Sequence, residues 1–310
     1  MNPCPICESA QSPIPLCKAL LAGDDCFDLV ECGSCRVRYL DPLPTQQQLA
    51  AFYAPQYYGS DWYKQLGRGM AFASQELNRL PAGRFLDVGC GLGYFIEGIR
   101  RHSGWSVSGV EFSAEAVAHA RGHLRLDVRQ GELVECGLPP RSFDFIHVNN
   151  VLEHVRDPRE FLRECRRLLS PGGLFYLSVP NGVVDSRNLL EFERRQHRPG
   201  CSKDGHLFFF PRTTMLELLN QAGFQVTRTY TYGIRRGLRI LGLYPRGKKW
   251  QRDYESGPSV AEVGEPRSQV VLPAGRTRPD WYYLYRHHEA RLKRLPGLRE
   301  YGLDYSIYSR

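Results

Sequence analysis

The chain has 310 residues, 42% of them hydrophobic, with 41 Lys and Arg against 33 Asp and Glu for a formal charge of +8. This length suits one large domain with an accessory module or two domains, and the charge permits an anionic partner without requiring one. No apolar run approaches the ~20 residues of a bilayer-spanning helix, and Met1-Asn-Pro-Cys-Pro-Ile-Cys7 has no signal-peptide pattern, so a soluble cytoplasmic protein is expected.

Residues 1–42 read as a cysteine-rich module. Of the ten cysteines, Cys4-x-x-Cys7 and Cys32-x-x-Cys35 form two paired-thiol knuckles separated by 24 residues. Two such knuckles fit a tetrahedral four-thiolate zinc site, since each tight turn aims two thiolates at one ion. Cys17 and Cys26 are substitutes if one knuckle ligand is replaced. Disulfides or a redox pair are the alternatives, but a redox Cys-x-x-Cys opens a helix after a strand, and neither knuckle does. A segment this small cannot build its own core, so metal binding is expected to supply its folding energy.

Residues 43–80 read as a helical linker that covers a ligand. Thr45 caps a helix from Gln46 to Tyr53, and Ala71 to Leu80 has helical periodicity ending at Pro81. Between them lie Tyr57, Tyr58, Trp62 and Tyr63, which serve either as a packing seam or, at Tyr57 and Tyr58, as a cover over a ligand.

From residue 81 to 232 strands and helices alternate, which argues for a parallel sheet with helices on both faces. The first strand, Phe85–Val88, runs into Gly89-Cys-Gly-Leu-Gly93 and then a helix. Three close glycines let a ligand lie against the backbone, and amides at the helix start favour a negative group. There is no Gly-Lys-Ser/Thr ending of a phosphate-gripping loop; instead the acidic Asp87 precedes the glycines. Asp87 and the turn suit a ligand with a cationic amino group and an adenosine. The second strand, Ser106–Val110, ends at Glu111, placed to accept two hydrogen bonds from a ribose diol; Ser113 caps the helix that follows.

A short third strand, Leu126–Arg129, leads to Glu132, a candidate acceptor for an adenine amino group. The fourth strand, Ser142–Val148, delivers Asn149, Glu153 and His154 to the sheet's carboxyl end, where ligands of such sheets sit. Pro158–Leu169 is an amphipathic helix closed by Ser170-Pro-Gly-Gly173, and Leu174–Val179 is the fifth strand, ending before Asn181. Residues 182–210 read as an insertion or lid containing His206 and a candidate aromatic wall, Phe208 to Phe210. A helix, Thr214–Ala222, and a strand, Phe224–Tyr232, follow. Residues 233–310 form a basic, Gly- and Pro-rich extension that completes the sheet or the substrate site, with Asp304–Ser309 a candidate terminal strand.

Phe85-Leu-Asp-Val-Gly-Cys-Gly-Leu-Gly93, Gly109-Val-Glu-Phe112, Ser142-Phe-Asp-Phe145, Val151-Leu-Glu-His-Val155 and Leu169-Ser-Pro-Gly-Gly173 occur in order. Together they resemble class I S-adenosylmethionine-dependent methyltransferases, above all the small-molecule branch with the ubiquinone-pathway enzymes. The resemblance implies a Rossmann-like seven-stranded α/β sheet over residues 81–232. It implies S-adenosylmethionine as cofactor, with its methionine part held by Asp87, Gly89, Gly91 and Gly93 and flanked by Asn149. Glu111 and Phe112 would then meet the ribose, Glu132 and Leu133 the adenine, and Tyr58 would cover the ligand. The knuckles, Tyr39-Leu-Asp-Pro-Leu-Pro44 and Tyr57-Tyr58 resemble the bacterial subset with an N-terminal zinc-ribbon, which includes sugar C-methyltransferases; the chain lacks the length for their second nucleotide-fold domain.

The expected activity is methyl transfer to a small-molecule acceptor from secondary metabolism or a sugar or glycan precursor. An anionic or phosphorylated acceptor suits the charge. His154 is the candidate general base, against a packing role, and His206 is expected to face the substrate. The competing readings are an RNA methyltransferase, disfavoured because the basic residues gather at Arg235–Arg252 and Arg286–Arg299, and a silent binding protein, disfavoured by the intact Asp87, Glu111 and glycines. Residues 233–250 mix apolar and basic side chains and are compatible with membrane-surface contact, though a solvated connection is the favoured reading.

Overall fold

A computed structural model describes residues 3–20, 25–52, 62–196, 200–201, 205–232 and 304–310. The two cysteine knuckles fold as copies of one turn. In the first, the Glu8 amide donates to the Cys4 carbonyl at 2.8 Å; in the second, the Arg36 amide donates to the Cys32 carbonyl at 3.0 Å. The residue after the second cysteine takes positive φ in both, 58° at Glu8 and 65° at Arg36. Between and after the knuckles run β1 (Ile14–Leu20), β2 (Cys26–Glu31) and β3 (Arg38–Asp41), paired antiparallel in that order.

Next come α1 (Gln46–Phe52) and α2 (Trp62–Gln75), then the alternating segment. It comprises β4 (Arg84–Val88), α3 (Tyr94–His102), β5 (Ser106–Glu111), α4 (Ala114–Leu124), β6 (Asp127–Gln130), β7 (Phe143–Asn149), α5 (Pro158–Leu168) and β8 (Leu169–Pro180). After these come α6 (Gly182–Gln196), β9 (Gly200–Cys201), β10 (Phe208–Phe209), α7 (Arg212–Gln221), β11 (Val226–Tyr232) and β12 (Asp304–Ser309). Ser113 caps α4 by accepting from the Ala116 amide, and Asp157 caps α5 by accepting from the Glu160 amide.

The main sheet has seven strands in the order β11-β12-β8-β7-β4-β5-β6. Strands β4 to β8 are parallel, and β12 inserts antiparallel between β8 and β11. The chain winds outward from β4 through β5 to β6, then returns to the other side of β4 at β7. That reversal opens a crevice at the carboxyl ends of β4 and β7. Helices α2 and α3 cross at backbone contact: a Cβ on Gly69 would stand 1.9 Å from the Phe95 carbonyl oxygen.

The apolar residues form two layers. Phe72, Phe85, Trp105, Phe145 and Tyr176 fill one, and Leu86, Val88, Ile146, Phe161 and Leu177 belong to the other. Alternation along β4 explains the split, since neighbouring residues of a strand face opposite sides. The second layer continues into the cysteine module through Ile6, Leu29, Val37, Leu40, Phe208, Phe210 and Met215. The module therefore does have a core, and shares it with the main sheet. Its sheet is also extended from outside: β9 pairs with β1 and β10 with β3.

Three expectations change. The segment after Pro180 is largely the helix α6, whose start is held by Asn181: its side-chain oxygen accepts from the Val183 amide at 3.2 Å. Asn181 is thus a buried cap. Ser170-Pro-Gly-Gly173 does not delay the fifth strand, because β8 already pairs with β7 at Leu169 opposite Phe143. Phe208, Phe209 and Phe210 are 1–2% exposed and pack in the core, so they are not a substrate wall.

Candidate active site

The glycine turn leaves β4 and is tied down by backbone and by one carboxylate. The amides of Gly89 and Cys90 donate to the Val110 carbonyl at 2.8 and 3.1 Å. Glu111, half-buried at the end of β5, accepts from the Gly91 amide at 2.8 Å and from the Ser113 amide at 2.9 Å. Gly89 has φ 74°, and a Cβ there would lie 2.5 Å from Val151 Cγ2. Only glycine satisfies both, and the contact sets the turn directly against the segment that carries Glu153 and His154. Gly93, with φ 83°, starts α3 with no side-chain cap.

Asp87 is 4% exposed, and its Oδ1 accepts from His147 Nδ1 at 2.7 Å. His147 stands opposite Asp87 in the β4–β7 register and is stacked between Phe95 and Tyr176, with ring centroids 4.6 and 4.8 Å away. Sequence reading missed His147. The signal was parity: Asp87 and His147 sit at matching places on strands that become neighbours.

The other predicted residues gather along the same edge. Gly131 donates to the Glu111 carbonyl, bringing the turn after β6 beside Glu111. Glu132 accepts from Gln46 Nε2 at 3.2 Å, so α1 reaches across this edge. Leu133 is buried, Phe112 is 38% exposed, and Asn149 is exposed at the end of β7. Tyr58 lies outside the described residues. Cys90 packs against Gly109, and burial pushes its thiol well above the ordinary range, which suits a packing role.

Beyond the turn, three side chains converge. Glu153 Oε1 lies 3.8 Å from His154 Nε2 and 3.9 Å from His206 Nε2, and the two rings are 4.9 Å apart. Each imidazole is fixed from behind. His154 Nδ1 donates to the Gly205 carbonyl at 3.1 Å, and His206 Nδ1 donates to Asp185 Oδ2 at 2.6 Å. Burial, with His206 beside it, pushes His154 down to about 3, so it is neutral near pH 7. The Leu207 amide donates to the Glu153 carbonyl at 2.8 Å, and the Leu207 carbonyl accepts from the Leu40 amide at 3.0 Å. His206 therefore sits where the cysteine module's sheet meets the main sheet. Asp185 was not singled out from sequence, because α6 was read as a lid.

The knuckles bring Cys4 Sγ within 3.8 Å of Cys35 Sγ and Cys7 Sγ within 3.6 Å of Cys32 Sγ. All four sulfurs lie within 4.8 Å of one another. Bonds of about 2.3 Å to one tetrahedral ion would space sulfurs about 3.8 Å apart, which the Cys4–Cys35 and Cys7–Cys32 pairs match. The module is anchored from the main domain: Thr214 Oγ1 donates to the Cys35 carbonyl, and Arg159 Nη1 to the Ile6 carbonyl.

Comparison with known proteins identifies the class to which this fold belongs. Residues 58–229 match the family described as "Methyltransferase domain". A Mycolicibacterium smegmatis protein named "Probable S-adenosylmethionine-dependent methyltransferase" is 31% identical over 204 residues, 64% of this chain and 70% of that protein. A Neisseria meningitidis protein named "Ubiquinone biosynthesis O-methyltransferase" is 29% identical over 170 residues, 49% of this chain and 68% of that protein. A crystal structure of an S-adenosylmethionine-dependent methyltransferase from Mesorhizobium loti aligns at 16% identity and TM-score 0.46, over 76% of this chain and 94% of that one. The chain belongs to the methyltransferase-domain family, and its activity is S-adenosylmethionine-dependent methyl transfer. No helix among the described residues is long and apolar enough to cross a membrane.

Proposed function

We propose that the chain methylates an oxygen of a small-molecule acceptor in a biosynthetic pathway of the cytoplasm, and that its four knuckle thiolates hold a structural zinc ion. The observation that carries this reading is the convergence of Glu153, His154 and His206 on the segment that abuts the glycine turn. S-adenosylmethionine supplies an electrophilic methyl group on a sulfonium, together with a cationic amino group and a ribose diol. The carboxylate acceptors present match that chemistry. Asp87, aimed by His147, takes the amino group alongside the turn glycines and Asn149. Glu111, which braces the turn through the Gly91 amide, takes the diol next to Phe112, while Glu132 and Leu133 border the adenine. Asp87 and Glu111 each bring negative charge toward a cationic ligand.

The polar end of the acceptor seat is formed by the Nε2 edges of His154 and His206. Glu153 beside them is 1% exposed, and we assign one hydroxyl of a small molecule to this end. A relative named for O-methylation supports oxygen as the acceptor atom. A reducing compartment suits a chain that relies on thiolates. The net charge of +8 suits an anionic or phosphorylated acceptor; residues 233–303, with both basic stretches, lie outside the described residues.

The test is transfer of a labelled methyl group from S-adenosylmethionine to a panel of phenols, hydroxylated sugars, amines and RNA. Labelling of a small hydroxyl compound, lost in His206→Ala, is expected. Labelling of RNA alone, with uptake falling steeply as salt rises, would replace this reading with an RNA methyltransferase.

A further inference from the structure

We infer that Glu153, His154 and His206 form a second divalent-metal site, of the zinc class, separate from the four thiols. This deepens the acceptor-seat reading and rests on it for its role, though not for its existence. Three observations carry it. The donor set is two imidazoles and one carboxylate, their ligating atoms all within 4.8 Å of one another. The imidazoles are also oriented as ligands are. A metal-bound histidine characteristically donates its far N–H to a carboxylate or a carbonyl. His206 does so to the Asp185 carboxylate and His154 to the Gly205 carbonyl, and each Nε2 faces Glu153 Oε1. Finally, Glu153, His154 and His206 have side chains only 1%, 13% and 9% exposed, so an ion there would be shielded from water on most sides.

The two Glu153 contacts are close to what an ion needs. Tetrahedral bonds of about 2.0–2.1 Å put ligand atoms about 3.3–3.4 Å apart. The Glu153 contacts, at 3.8 and 3.9 Å, need to close by about half an ångström, within the reach of side-chain rotations. Three protein ligands leave a fourth position open, the pattern of catalytic zinc sites. An acceptor hydroxyl in that position loses its proton to solvent more readily, because the ion stabilises the oxyanion. In the transfer itself the C–O bond forms as the C–S bond breaks, and the sulfonium becomes a neutral thioether.

Cobalt distinguishes the two sites, since thiolate ligands give intense near-ultraviolet charge-transfer bands and a site of imidazole and carboxylate does not. The full chain, prepared without chelators, is titrated with Zn2+ and with Co2+, metal is counted by elemental analysis, and S-adenosylhomocysteine binding is measured on the same samples. Wild type is expected to hold two equivalents of metal. Glu153→Gln and His206→Ala should each lose one, with thiolate bands and cofactor affinity unchanged within about twofold. A wild-type count of a single equivalent, carrying thiolate bands, overturns the proposal whatever the variants do. So does a second equivalent that survives in both variants; the histidines then act as acid–base groups. Failure of wild type to bind S-adenosylhomocysteine counts against the methyltransferase site alone and leaves the metal count to decide this proposal.

Discussion

The chain builds two clusters of ligating side chains in opposite ways. The four-thiol cluster is local: each half is one turn of five residues, made twice with the same hydrogen bonds and the same positive φ. The Glu153–His154–His206 cluster is assembled at long range, from the turn after β7, the segment before β10 and the helix α6 behind them. Yet the second depends on the first. Leu207, next to His206, is held on one side by Glu153 and on the other by Leu40 of the strand leaving the second knuckle. The cysteine module thus shares a core with the main sheet and is bonded to the residue beside His206.

The largest expected effect follows from that dependence. Cys32→Ser removes one ligand of the proposed knuckle zinc and should lower the stability of the whole chain by several kcal/mol, bounded by the ~10–16 kcal/mol of structural zinc in small peptides. Calorimetric unfolding should show one transition at lower temperature. Two transitions, with the main one unmoved, would mean the module is an independent appendage. Phe208→Ala should come next. Phe208 is 1% exposed between Tyr39 and Phe210, and its loss should cost about 3–5 kcal/mol by denaturant titration. A cost below about 1 kcal/mol would break the claim of a shared core.

A smaller, more specific effect is expected at His147→Phe. The ring stack survives, but Asp87 loses its hydrogen bond, which should cost about 1–3 kcal/mol of stability. S-adenosylhomocysteine affinity should fall by roughly tenfold, since Asp87 is no longer aimed. Unchanged affinity would show that Asp87 does not need its partner. The smallest effect is Thr214→Val, which removes one hydrogen bond to the Cys35 carbonyl and should cost about 1 kcal/mol while leaving metal content unchanged.

Local features were legible in the sequence. The strand β4, its glycine turn, Glu111 and the Ser113 cap are each encoded within a few residues, and the knuckles within four. What depends on pairing between distant strands was not. His147 acquires meaning only in register with Asp87, and Asp185 only once α6 folds back beside His206. Helix α6 was hidden because a polar, glycine-led start after Pro180 looks like a loop. In fact Gly182 is required by the close approach of β10, where a Cβ would lie 2.1 Å from the Phe209 carbonyl carbon. The run Phe208 to Phe210 looked like a ligand wall because nothing in its own sequence shows that β3 and the second apolar layer cover it.

The most direct measurement is calorimetric titration of S-adenosylhomocysteine into the full chain, Asp87→Ala and Glu111→Ala. Wild type should bind one equivalent, and each variant should bind at least about tenfold more weakly, a loss of about 1.4 kcal/mol or more. Equal affinity in all three proteins, or no binding to wild type, would contradict the placement of the cofactor at the glycine turn.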